Sequence, residues 1–170
     1  MNIKVAFLGE EGVGKTSLIK QYIIGTFNEH QAATNGASFC SKALEINNEK
    51  YIADIWDIAG NNKYRSLSKY FFVDADIIIL VYDITKEESF LELDFWLDAI
   101  LQTKGKKVPM ILVGNKSDLS ENAKVLEKDG RKLAQIIGAK FIYTSAKITD
   151  LREIFDNALI SLIKSIKNIK

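Results

Sequence analysis

The stretch Ile3–Ser17, "IKVAFLGEEGVGKTS", decides how the rest of the chain is read. It opens as an apolar run of strand length and breaks at Gly9. Gly9, Gly14, Lys15 and Thr16 then complete the pattern G-x-x-x-x-G-K-[ST]. Glycines let such a loop turn several backbone N–H groups inward as an anion nest. The helix expected after it aims its positive end at the same point. In that setting Lys15 reaches outer phosphates and the Thr16 hydroxyl ligands Mg²⁺. A plain glycine-rich turn with a chance Lys-Thr is the competing reading. A strand before and a helix after favour the phosphate nest.

Further strand-like runs are "DIIILVY" (76–82), "VPMILVG" (108–114) and "AKFIYT" (139–144). Pro109 stands at the start of its run, where a strand tolerates it. Asn47-Asn48 between "ASFCSKALEI" and "KYIADIWDI" predicts a β-hairpin. Helical stretches lie between the runs. Thr85 and Glu88 predict a capping box ahead of "SFLELDFWLDAIL". Gly138 predicts the stop after "KLAQII". Leu151, Ile154, Phe155, Ala158, Leu162 and Ile166 form the apolar stripe of a last helix. Nearly continuous apolar strands alternating with helices imply an α/β fold whose mainly parallel sheet is covered on both faces. Ligands of such sheets sit outside the carboxyl ends of the strands.

The 170 residues suit one domain, expected over 1–170. A 47% apolar and 26% charged composition is ordinary for a globular protein. Net charge of +1 gives no case for nucleic acid. Cys40 is the single cysteine, which excludes an internal disulfide or a Cys-based zinc site and fits a reducing compartment. The amino terminus does not read as a signal peptide, and no apolar run reaches membrane-spanning length. The expectation is a cytosolic, monomeric protein.

Two further loops fall at strand ends. Asn115-Lys116-Ser117-Asp118 follows the 108–114 run, and Thr144-Ser145-Ala146-Lys147 follows the last. The Asp118 carboxylate can accept from the N1–H and 2-amino groups of guanine. Adenine lacks that donor pair, so a site built on Asp118 rejects it. Lys116 can lie along the base, Asn115 can tie this loop to the phosphate loop, and the Ala146 N–H can donate to the guanine carbonyl. Taken alone, "NKSD" is as readily a polar turn; three loops in order are far more specific.

With these motifs, and with "WDIAG", "KYRSLSKYFF" and "LVYDITKEESF", the chain resembles a small GTPase of the Ras superfamily, most of all a Rab, over residues 3 to 167. The resemblance implies a P-loop NTPase G domain: six strands, one antiparallel, and five helices. It implies GTP and GDP as ligands, slow hydrolysis to GDP and phosphate, and a switch that recruits effectors in vesicle traffic. By resemblance Glu11, Gly12, Val13, Gly14, Lys15, Thr16, Ser17, Phe27, Ser145, Ala146 and Lys147 join the nucleotide site. Thr16, Thr34 and Asp57 serve Mg²⁺, Asp57 through a water. Residues 27–39 become switch I, with Thr34 also on the γ-phosphate. "DIAGNN" opens switch II, where the Gly60 N–H meets that phosphate. Loss of the γ-phosphate frees both segments. Phe39, Trp56 and Phe71 match the triad that displays nucleotide state to effectors, although Trp56 is equally a packing residue. Exchange-factor and activating proteins are the other implied partners. His30 reads as a solvated loop residue.

The pattern breaks in places. Asn61 stands where the family carries a glutamine that orients the attacking water. It is shorter by one methylene, about 1.5 Å, and a misplacement of about 1 Å costs on the order of 10²-fold. Intrinsic turnover is therefore expected to be very slow, with Lys15, Thr34, Gly60 and Asn61 as the catalytic set. Asn62 replaces a glutamate used in exchange. Asn35, Ile58 and Val73-Asp74 also depart, and Glu11 puts a carboxylate into the phosphate loop. A scaffold that holds nucleotide without turning it over is the alternative, and an ATPase is a third option that Asp118 opposes. Rabs end in a tail with prenylated cysteines, whereas this sequence stops at "KSIKNIK". The favoured expectation is a tail beyond the given residues and peripheral association with the cytosolic face of endomembranes through it; the alternative is a protein that does not anchor by lipid. Lys164, Lys167 and Lys170 read as a solvated helix face.

Overall fold

The computed structural model describes residues 1–105 and 108–168. Among these, six strands form one sheet in the order β2-β3-β1-β4-β5-β6. They are β1 (Asn2–Leu8), β2 (Ala37–Ile46), β3 (Glu49–Ile58), β4 (Ile77–Asp83), β5 (Met110–Asn115) and β6 (Lys140–Tyr143). β2 and β3 pair antiparallel, and the other pairings are parallel. The hairpin turns on Asn47 and Asn48, at φ 53° and 65°, with Ile46 opposite Glu49. Two positive φ values in a two-residue loop match the right-handed twist of the flanking strands.

Alternation along each strand produces two cores. Ile3, Val5 and Phe7 of β1 and Ile77, Ile79 and Val81 of β4 face one side. There they meet Leu18 and Tyr22 of α1 (Lys15–Ile24) and Phe155, Leu159 and Ile163 of α6 (Arg152–Lys167). Ala6, Leu8, Ile78, Leu80 and Tyr82 face the other side. They pack on Phe72 of α2 (Asn62–Phe72), Trp96 and Ile100 of α4 (Leu93–Lys104), and Ala134 of α5 (Glu127–Ile137). Each fully buried aliphatic or aromatic side chain contributes about 1.5–3 kcal/mol, so the central strands fix the sheet. β1 lies between β3 and β4, which places the change in winding direction at its carboxyl end.

Four local expectations change. The capping box is not made: α3 (Glu87–Leu91) starts after Lys86 with no side-chain cap. Thr85 instead donates its N–H and its hydroxyl to Asp83 Oδ1, at 2.9 and 2.7 Å, and this turn back onto Asp83 leaves Thr85 one residue short of the helix N-cap. The helix expected there is divided at Glu92 into α3 and α4. The strand expected from 108 begins at Met110, and the Pro109 carbonyl still accepts from the Ile78 N–H. On α6 the deepest line is Leu151, Phe155, Leu159 and Ile163, one i+4 row. Ala158, Leu162 and Ile166 flank it, and Ile154 is 39% exposed. Gly138 ends α5 in the left-handed conformation, as expected. Lys164 is half-buried and Lys167 exposed, and Lys170 lies outside the described residues.

Candidate active site

The loops after β1, β5 and β6 meet the 27–34 segment around a cavity of about 520 Å³, a volume that suits a nucleotide-sized ligand. Its wall carries Gly12, Gly14, Lys15, Thr16 and Ser17 on one side. Asn115, Lys116, Asp118, Ser145, Ala146 and Lys147 line the other, with Phe27, Thr34 and Gly60 at the edges. Gly14 has φ 99°, and a side chain there would meet Asn115 Nδ2 at 2.3 Å. Only glycine allows both the turn and that approach.

Lys15 is 5% exposed and donates to the carbonyls of Gly9 and Glu10, each at 2.9 Å. Burial lowers its pKa from 10.5 to about 8, against the opposing pull of Asp57, Glu11 and Glu10. This cation is poorly hydrated and aimed at the nest, so a polyanion is its natural partner.

The three residues expected at Mg²⁺ come together. Thr16 Oγ1 lies 2.5 Å from Asp57 Oδ2 and 2.8 Å from Thr34 Oγ1, and Thr34 Oγ1 is 3.4 Å from Asp57 Oδ2. Asp57 Oδ1 is buried without a hydrogen-bond partner. A hard oxygen set with an orphaned carboxylate oxygen fits a divalent cation such as Mg²⁺.

The base side is tied together by one amide. Asn115 Nδ2 donates to the Val13 carbonyl at 2.9 Å, and Asn115 Oδ1 accepts the Ala146 N–H at 3.1 Å. The Ala146 N–H, expected on a guanine carbonyl, is thus engaged within the protein. Ser145 Oγ donates to Asp118 Oδ1 at 2.5 Å and accepts the Lys147 N–H at 3.1 Å. This orients the Asp118 carboxylate across the cavity. Lys147 pairs with Glu29 of the facing segment.

Not every expected residue lines the cavity. Val13 packs into the core and offers only its carbonyl. Asp57 stands behind Thr16. Asn61 is the N-cap of α2 and lies outside the cavity wall, with its Oδ1 buried and unpartnered. Glu11 lines the wall and is exposed. Asn28, Glu29, Gln31, Ala32 and Ala33 of the expected switch I, and Leu119 directly after the Asn115–Asp118 motif, also line the wall, although the sequence did not single them out one by one. It also missed Arg65. Its guanidinium bridges Glu92 at 2.6 Å and Glu10 at 3.7 Å and stacks 4.7 Å from the Phe95 ring, joining α2 to the phosphate loop.

Beside the cavity, Phe39, Trp56 and Phe71 form a continuous row, with centroids 5.4 and 6.2 Å apart. Phe39 is 54% exposed, whereas Trp56 and Phe71 are half-buried against the core. Trp56 is thus a packing residue, as one of its two readings expected, and Lys4 Nζ lies over its ring, 4.6 Å from the centroid. His30 is an exposed loop residue whose N–H donates to Asn28 Oδ1. Among the described residues no helix is long and apolar enough to cross a membrane.

Known proteins agree with this geometry. A family model described as the Ras family matches residues 4–168. The chain is 42% identical to Ras-related protein Rab-21 of Geodia cydonium, over 85% of this chain and 63% of that protein. It is 41% identical to human Ras-related protein Rab-30, over 86% of this chain and 72% of that protein. It thus spans less than two thirds of the Rab-21 length.

Proposed function

This chain belongs to the Ras family, among its Rab members, and we propose that residues 1–170 are a single G domain that binds GTP and GDP with Mg²⁺, hydrolyses GTP slowly, and signals its state to transport effectors. One observation carries the reading. Lys15, the Thr16–Thr34–Asp57 cluster and Asp118 converge on a single cavity of nucleotide size.

In that cavity the phosphates lie on the nest at the start of α1, with Lys15 Nζ against the outer oxygens. The Asp118 carboxylate accepts from guanine N1–H and the 2-amino group, while the Lys116 stem lies along the base. Thr16 and Thr34 would hold Mg²⁺ through their hydroxyl oxygens, with the Asp57 carboxylate behind them. Magnesium supplies charge neutralisation of the β- and γ-phosphates when bound. Gly60 donates its N–H to the γ-phosphate. Asn61 orients the water that attacks phosphorus; the bond to the β-phosphate oxygen breaks, and GDP leaves with inorganic phosphate. The short reach of Asn61 and its place outside the cavity wall support a very slow unaided rate.

The 27–34 segment and the Gly60 turn are the two parts that feel the γ-phosphate. The Phe39–Trp56–Phe71 row, exposed at Phe39 and half-buried at the other two, offers aromatic surface that suits a protein partner. We assign effectors to this row, exchange and activating proteins to the switch segments, and the working state to a monomer on the cytosolic side of endomembranes. Phosphate release from bound GTP under single-turnover conditions tests the proposal. Slow Mg²⁺-dependent release, accelerated by an activating protein, supports it. Tight guanine nucleotide binding with no release over days, with or without the activating protein, would make the chain a scaffold.

A further inference from the structure

We propose that Asp83, which lines no part of the cavity, is a positioning residue for guanine nucleotide binding that acts through Lys116. The inference rests on the guanine-site reading and extends it to a residue behind the wall.

Asp83 ends β4 and is fully buried. A buried carboxylate without a compensating cation is strongly unfavourable, so its surroundings must explain it. Oδ1 accepts the N–H and hydroxyl of Thr85. Oδ2 has no hydrogen bond of normal geometry; its partner is the Lys116 ammonium, 2.6 Å away. The carrier of the carboxylate is fixed too. The Asp83 N–H donates to Ser89 Oγ at 2.9 Å, and Asp83 stands opposite Asn115 in the sheet register.

Lys116 is unusual in turn. Its backbone is left-handed, at φ 70°, a conformation that non-glycine residues seldom hold. Its Nζ also donates to the Gly12 carbonyl at 2.9 Å. The side chain therefore runs from the end of β5 to the phosphate loop, with its ammonium held by Asp83 on one side and Gly12 on the other. Lys116 lines the cavity, and with its ammonium engaged the alkyl stem is the part free to meet a base. A free lysine has many rotamers and must lose them when a base lies against it. Asp83 removes that freedom before the base arrives. This gives a physical purpose to the aspartate and threonine of "LVYDIT": the threonine orients the carboxylate, and the carboxylate orients the lysine.

The test is a double-mutant cycle read by dissociation of a fluorescent GDP analogue. Residues in direct contact couple strongly enough for Asp83→Asn to speed release by about tenfold or more. Lys116→Met should also speed release, and Asp83→Asn added to Lys116→Met should change nothing further. Wild-type kinetics in Asp83→Asn, or effects that multiply in the double variant, would overturn the inference. A second measurement uses wild-type protein, in case Asp83→Asn does not fold. The Lys116 ammonium should give an ¹⁵N-correlated proton signal protected from solvent exchange, assigned by its loss in Lys116→Met; rapid exchange would equally overturn it. Failure of the wild type to bind guanine nucleotide would instead remove the functional reading, and the ammonium signal would still report on the Asp83–Lys116 pair.

Discussion

Replacing Gly60 with alanine tests whether switch II and the phosphate loop must touch. Gly60 lacks the positive φ that would itself forbid a side chain, so the effect of Gly60→Ala is steric. The added Cβ would lie 2.2 Å from the Gly9 carbonyl oxygen, 2.5 Å from the Glu10 carbonyl carbon and 2.6 Å from the Glu11 nitrogen. All three are backbone atoms, and the Lys15 ammonium holds the carbonyls of Gly9 and Glu10 in place. The Gly60 turn must therefore withdraw. Opening the closest contact from 2.2 Å to the 3.0 Å minimum requires about 0.8 Å. A displacement of about 1 Å at a reacting centre costs on the order of 10²-fold, or about 2.7 kcal/mol of transition-state stabilisation. Single-turnover hydrolysis should fall by about that factor. If Gly60 meets only the γ-phosphate, as proposed, GTP affinity should weaken more than GDP affinity, and the base loops should be undisturbed. Hydrolysis at the wild-type rate would refute the reasoning. Equal losses of GTP and GDP affinity would refute it too, because they would mean that Gly60 does not sense the third phosphate.

Other perturbations follow from the same geometry. Asn61→Gln restores about 1.5 Å of reach and should raise single-turnover hydrolysis by roughly 10- to 100-fold; no increase would show that reach is not what limits the rate. Asp118→Asn turns one acceptor into a donor facing the guanine 2-amino group, so GDP affinity should drop by about 10³-fold or more. The same variant should gain affinity for xanthosine diphosphate, whose C2 carbonyl accepts, and competition binding would expose any failure of that exchange. Asp57→Ala removes the only carboxylate of the oxygen cluster and should weaken Mg²⁺ by about 10- to 100-fold. A magnesium titration of nucleotide dissociation measures it, and an unchanged midpoint would contradict the assignment.

How much of this was legible in the sequence depended on whether the physics was local. The phosphate loop was, because its glycines and Lys15 are needed within nine residues of one another. The hairpin was, because Asn47 and Asn48 tolerate the positive φ the turn demands. Asp118 and Asn115 were legible as a pair of roles, and Asn115 does tie the base loop to the phosphate loop. Thr85 shows the opposite case. Its local pattern favoured a helix cap, whereas its N–H and hydroxyl bond back to Asp83 at the end of β4 and the helix starts one residue later. Asp83 and Arg65 were missed because their partners, Lys116, Glu10 and Glu92, are distant in sequence. Asn61 entered the catalytic set by family resemblance; it does not line the cavity, and its Oδ1 is buried without a hydrogen-bond partner. The apolar stripe of α6 named the right face, with Leu151 and Phe155 on its deepest line and Ala158, Leu162 and Ile166 beside it. It took in exposed Ile154 and left out Leu159 and Ile163, since periodicity gives a face but not its deepest line.

The most direct measurement is competition for the cavity between guanine and adenine nucleotides in the presence and absence of Mg²⁺. GTP and GDP should displace a fluorescent GDP analogue at stoichiometric concentrations, ATP should fail at a thousandfold excess, and chelating the metal should speed release. Displacement by ATP at concentrations near those of GTP, or a protein that takes up neither nucleotide, would contradict the claim that Lys15, Asp57 and Asp118 serve one guanine nucleotide.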